Sequence, residues 1–257
     1  MRITDSCYII TGLNAESPWA VNSGFVVGAN TTLIVDTGSN YFAAQTIFGY
    51  AHCAKPKNKI VVVNTEPHFD HIGGNDFFRS RKIDVYAHPN LKRTEDEFQR
   101  NKSDFDATIV NGVRKNAKES DAFYFRTALA NPNGSVVQND VMDLGGLEAV
   151  MYETPGHTPQ NISIFIPKEK VLFCGDAVVG QYIPNLEGGN VDSWKLWLES
   201  LNSIEALNPE FIVPGHGDKI SGKIEIQNML TSMRTVISDA VEKKSAPTCR
   251  RVYAAIE

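Results

Sequence analysis

Four of the six histidines in this chain stand in short loops that directly follow apolar, strand-like runs, each accompanied by glycine or a carboxylate. The densest loop is Thr65-Glu66-Pro67-His68-Phe69-Asp70-His71, immediately after the apolar run 60–63. In an extended chain alternate side chains share a side, so Glu66, His68 and Asp70 would face one way and His71 the other. A single loop of this kind can serve two metal ions. The stretch Thr154-Pro155-Gly156-His157 repeats the design, with Gly156 permitting a sharp turn that presents His157 at a strand end. Phe173-Cys174-Gly175-Asp176 and Val213-Pro214-Gly215-His216 repeat it again. Imidazoles and carboxylates together suit zinc, iron or manganese, and a carboxylate such as Asp176 is able to bridge two ions.

The elements that must position these loops are legible as alternating strands and helices. Runs 24–27 and 32–35 are joined by Gly28-Ala29-Asn30, a hairpin turn, and the second ends in Asp36-Thr37-Gly38. A helix over 41–53, a strand over 60–63, a short helix over 75–79 and a strand over 83–87 follow, the pattern of a layered α/β protein. Residues 91–139 differ: charged helical segments, the aromatics Phe123, Tyr124 and Phe125, and a turn at Asn131-Pro132-Asn133-Gly134 read as a mostly helical insertion. Strands resume at 147–152, 162–166 and 171–173. From Asp192, the spacing of Trp194, Trp197, Leu198, Leu201 and Ile204 marks the core face of a helix. A last strand over 211–213 and a helix over 224–241 close a single domain spanning 1–257.

Composition narrows the function. With 257 residues, 42% of them hydrophobic, the chain can bury a substantial core. Its formal net charge is -5 and no run of lysine and arginine forms a basic patch, which argues against nucleic acid as a partner. Arg2, Asp5 and Ser6 interrupt the first ten residues, unlike a signal peptide, and no stretch approaches the roughly 20 apolar residues of a membrane span. The four cysteines, Cys7, Cys53, Cys174 and Cys249, are scattered without a C-x-x-C pair and read as reduced thiols. These features lead us to expect a soluble, cytoplasmic protein acting on a small molecule, with self-association into a homo-oligomer left open.

Taken in order, the four motifs resemble those of the metallo-β-lactamase superfamily, whose usual signature is H-x-H-x-D-H followed by a lone His, a bridging Asp and a final His. The resemblance covers almost the whole chain, from the strands ending in Asp36-Thr37-Gly38 to His216, and includes the eighteen residues between His157 and Asp176. It implies a four-layer αββα sandwich with the site at one edge. It also implies two divalent metal ions per chain, zinc foremost with iron or manganese as alternatives. Glu66, His68 and His157 would hold the first, Asp70, His71 and His216 the second, and Asp176 would bridge them. Glu66 is a departure, because relatives usually carry histidine there. Either it ligates, lowering the charge of the centre and favouring harder ions, or it points away and leaves a degraded first site.

The activity implied is hydrolysis of a small ester, lactone, thioester or amide by a metal-bridging hydroxide. Asp70 would orient that hydroxide, and Tyr182, in the loop 180–189, would donate to the developing oxyanion. The alternative is a non-haem di-iron oxidoreductase related to flavodiiron proteins, which also place a glutamate in this loop, but at the second position, H-x-E-x-D-H. Here that position is His68, and residues 217–257 leave no room for a flavodoxin-like domain. A non-catalytic binding protein with a crippled centre is a third class. His88 reads as a hydrogen-bonded strand end, His52 as a helix-surface residue, Cys174 as a buried thiol, and Asp36 as a carboxylate that orders its own turn.

Overall fold

A computed structural model of the chain describes residues 1–13, 20–109, 111, 115, 122–181 and 183–246. One sheet holds β1 (Cys7–Ile10), β2 (Ser23–Val27), β3 (Thr31–Val35), β4 (Lys59–Val63), β5 (Val85–Ala87) and β6 (Gly134–Ser135) in sequential order. The second holds β7 (Val141–Asp143), β8 (Glu148–Glu153), β9 (Ile162–Ile166), β10 (Val171–Phe173), β11 (Phe211–Val213) and β12 (Ile220–Ser221), again in order.

The alternation of side chains along the strands creates the layers. Leu33, Val35, Val61 and Val63 of the first sheet meet Met151, Ile162, Ile164 and Ile166 of the second in a central core. On the opposite face of the first sheet, Ile34, Ile60 and Val62 pack against α1 (Tyr41–Ala54) and α3 (Asn75–Arg79). On the outer face of the second, Phe165, Leu172 and Ile212 pack against α5 (Val191–Ala206) and α6 (Lys223–Lys243). The result is an αββα sandwich. Trp194, Trp197, Leu201 and Ile204 are buried along α5, the core face that their spacing predicts.

Chain direction decides where the functional loops emerge. Strands β3 to β6 are mutually parallel, with α1 carrying the chain from β3 back to β4. In the second sheet β10 and β11 are parallel, while β9 is antiparallel to both β8 and β10, so β8, β10 and β11 all point the same way. His157, Asp176 and His216 therefore leave the carboxyl ends of three co-directional strands, and Glu66 to His71 leave that of β4. This is the edge at which open α/β sheets gather ligands.

Two expectations change. The loop 64–71 is not extended throughout: it bends on leaving β4, and His68, itself in extended conformation, caps α2 (Phe69–Ile72), a single helical turn. In the stretch 91–139, α4 (Glu95–Thr108) is helical and begins with a capping box between Thr94 and Glu97, but its end is β6, an edge strand of the first sheet. Within the expected insertion, residues 110, 112–114 and 116–121 lie outside the described residues. No helix among the described residues is long and apolar enough to cross a membrane.

Candidate metal centre

The loops converge into two groups of side chains, Glu66, His68, His157 and Asp176 in one, Asp70, His71 and His216 in the other. Within each group one ligating atom per residue lies within 4.8 Å of the others. All seven residues expected from the sequence are thus brought together. Tyr182 lies outside the described residues. The single turn of α2 is what separates the groups, since it swings Asp70 away from Glu66 and His68 and places it beside His71.

Two of the histidines, His71 and His157, are oriented by hydrogen bonds from behind. His71 Nδ1 donates to Asp36 Oδ2 at 2.8 Å, which leaves Nε2 facing the centre. Asp36, held at a positive φ of 60°, also accepts from the Thr65 amide and hydroxyl, both at 2.7 Å. Its role is therefore wider than ordering its own turn. It couples the end of β3 to the metal loop. The His71 carbonyl accepts from the Thr37 amide and hydroxyl and from Asn64 Nδ2, which fixes the turn. His157 Nδ1 donates to the Asn185 carbonyl at 3.3 Å, and its ring lies 5.5 Å from that of Trp197. Gly156 admits this contact, since a Cβ there would meet Trp197 at 2.2 Å, and its φ of +151° suits glycine. The Asn22 amide nitrogen holds the His216 loop by donating to the carbonyls of Pro214 and Gly217. Arg93, from the stretch before α4, donates to the Pro67 carbonyl at 3.1 Å between Glu66 and His68.

The supporting residues Asp36, Asn185 and Arg93 escaped sequence reading because their partners are 35, 28 and 26 residues away. Asp36 had one detectable signal, its place at the end of an apolar run beside Thr37-Gly38. His88 accepts from the Asn90 amide, His52 is exposed on α1, and Cys174 is buried with its thiol toward the Val213 carbonyl.

The electrostatics of the centre are those of a cation site. Burial by itself would raise the three carboxyls, yet the surrounding histidines hold Glu66 and Asp70 below the usual carboxylate range and Asp176 well below it. Attraction to Glu66 raises the His68 imidazole to about 9 against the opposing effect of burial. Burial would lower His216, but Asp176 and Asp70 bring it up to about 10. Protons on histidine here occupy a field that divalent ions would satisfy. Three buried atoms point inward without a hydrogen-bond partner, Glu66 Oε2, His71 Nε2 and Asp176 Oδ1, so the donor set fits metal ions by geometry as well as by chemistry.

Comparison with known proteins agrees with this arrangement. Residues 17–216 match the family model described as the metallo-beta-lactamase superfamily, and the chain belongs to that superfamily of metallo-hydrolases. Curated relatives include a linear primary-alkylsulfatase from a Pseudomonas species, 23% identical over an alignment of 232 residues, covering 80% of this chain and 43% of the relative. A beta-lactamase-like protein 2 homolog from Caenorhabditis elegans is 27% identical, covering 75% of this chain and 57% of the relative. An acyl-coenzyme A thioesterase MBLAC2 from Gallus gallus is 25% identical, covering 78% and 74%. The chain thus spans about half the length of the first two relatives. Among solved structures, a metallo-beta-lactamase from Pontibacter korlensis superposes with a TM-score of 0.68 at 18% identity, covering 93% of this chain and 98% of that one. Nothing in these relatives supports the di-iron oxidoreductase alternative.

Proposed function

We propose that this chain is a dinuclear metal-dependent hydrolase that cleaves a small ester, lactone, thioester or amide. The carrying observation is the convergence of seven imidazole and carboxylate groups, three of them with unpartnered buried atoms, at the carboxyl ends of strands from both sheets. Glu66, His68, His157 and Asp176 would hold one ion, and Asp70, His71 and His216 the other, with Asp176 reaching both. Such ions supply an activated water and polarise the scissile carbonyl. Zinc is the first candidate, with iron or manganese as alternatives that the carboxylate-rich donor set would also accommodate.

The protein's own groups fix the geometry of this chemistry. Asp70 Oδ2 stands 3.2 Å from His216 Nε2 and is nearly buried, so it is pinned where it can orient the attacking water and accept its proton. The His68 side chain is 45% exposed while those of Glu66 and His71 are fully buried, so substrate would enter on the His68 side. Residues 183–189, tied to His157 through the Asn185 carbonyl, would flank the same entrance. The thioesterase and alkylsulfatase relatives put acyl-coenzyme A thioesters and alkyl sulfates on the substrate panel.

The test is metal analysis of zinc-, iron- and manganese-loaded protein, each tried on nitrophenyl esters, lactones, acyl thioesters, alkyl sulfates and β-lactams. We expect two ions per chain and turnover of at least one carbonyl substrate, both abolished in His157→Ala. One ion or none per chain, or turnover that survives His157→Ala, would overturn the reading.

A further inference from the structure

We infer that Glu66 is a second bridging carboxylate, shared by both ions alongside Asp176, and not a replacement for a one-metal histidine. The inference rests on the dinuclear reading above and concerns only where the Glu66 oxygens go. Two atoms bound to the same ion by bonds of about 2.1 Å stand about 3.0–3.4 Å apart at octahedral to tetrahedral angles. By that yardstick the three carboxylates divide. Asp176 Oδ2 lies 3.4 Å from His157 Nε2 in one group and 3.4 Å from His216 Nε2 in the other. Asp70 Oδ2 lies 3.2 Å from His216 and 3.9 Å from His71, both in the second group. Glu66 behaves like Asp176: its Oε1 lies 3.1 Å from His68 Nδ1 in the first group, where the two are also hydrogen-bonded, and 3.1 Å from His71 Nε2 in the second.

The contact with His71 is not a hydrogen bond. His71 Nε2 has no hydrogen-bond partner in spite of the 3.1 Å separation, so its lone-pair axis misses the Glu66 oxygen. That is the relation between two ligands aimed at a common third point. The other oxygen, Oε2, is likewise unpartnered and lies 3.8 Å from His157 Nε2, back in the first group. A carboxylate with one oxygen at ligand spacing from both groups and a second turned to the first has what a bridge requires. A histidine offers a single nitrogen toward the centre and has no such option. Complete burial of the side chain and the Arg93 hold on the Pro67 carbonyl next to it keep the carboxylate from swinging out to solvent.

The direct test is a crystal structure of the full-length zinc-loaded protein with ions located by anomalous scattering. We expect Glu66 oxygens within about 2.0–2.2 Å of both ions. Glu66 bonded to one ion only, or to neither, would overturn the bridge and leave the dinuclear reading standing, whereas fewer than two ions would defeat both. Calorimetric zinc titration of Glu66→Gln and Asp70→Asn gives an independent readout, since each removes one negative charge. Glu66→Gln should weaken both binding steps by about tenfold or more, and Asp70→Asn mainly one. A Glu66→Gln loss confined to a single step refutes the bridge.

Discussion

At the scale of single residues, the centre depends on side chains that never face the ions. Asp36 is the clearest: it accepts from His71 Nδ1 and from two donors of Thr65, which ties the orientation of the His71 ring to the strand β3. Asp36→Ala would leave the His71 Nδ1 proton and the Thr65 amide without their acceptor, although Thr37 and Asn64 would still hold the His71 carbonyl. We predict that this variant folds yet binds one ion 10- to 100-fold more weakly, roughly the cost of losing such a support. Metal per chain after dialysis at graded free zinc checks this. Unchanged occupancy would reduce Asp36 to a turn-former.

At the scale of elements, α2 and α4 form one unit through an aromatic cluster. Phe69, the first residue of α2, lies 5.0 Å from the rings of Phe98 and Phe105 and 5.9 Å from that of Tyr124. The aromatic trio of the expected insertion therefore splits, with Tyr124 buried against α2 and Phe125 81% exposed. Phe69→Ala should cost about 3–5 kcal/mol through the cavity it leaves, whereas Phe125→Ala should stay within about 0.5 kcal/mol. Denaturant unfolding separates them, and equal stability of the two variants would deny the coupling of α2 to α4. Legibility in the sequence follows the same lines. Strands β3, β4 and β9 were visible because their apolar runs end in turn residues, and α5 because its stripe runs from Trp194 to Ile204 within a sixteen-residue helix. The four residues of α2 are too few to show a helical period, and its cap, His68, makes no side-chain capping bond that a motif could reveal. The two-residue strands β6 and β12 exist only through their neighbours, Tyr86–Ala87 and Phe211–Ile212. The clustering of the seven residues was legible because imidazoles and carboxylates recur at strand ends in the sequence, whereas their supports came from far along the chain.

At the scale of the whole molecule, the centre joins two halves. Glu66, His68, Asp70 and His71 follow a strand of the first sheet, and His157, Asp176 and His216 follow strands of the second. Ions bound only by the folded chain add stability by mass action, about 4 kcal/mol at a thousandfold excess over Kd. For a chain of this size, that is a rise in Tm on the order of 10 °C on adding zinc to chelator-treated protein. Differential scanning calorimetry measures it, and an unchanged Tm with zinc bound would mean that the unfolded chain binds the ions as tightly as the folded one. Because the strands run in sequential order, residues up to β6 build one sheet and those from β7 onward build the other, with the exposed Val137 between them. The gene could thus be cut at that seam into two polypeptides, each carrying an incomplete set of ligands. Their reassembly would report on free zinc, giving a split sensor in which neither fragment alone holds the complete centre.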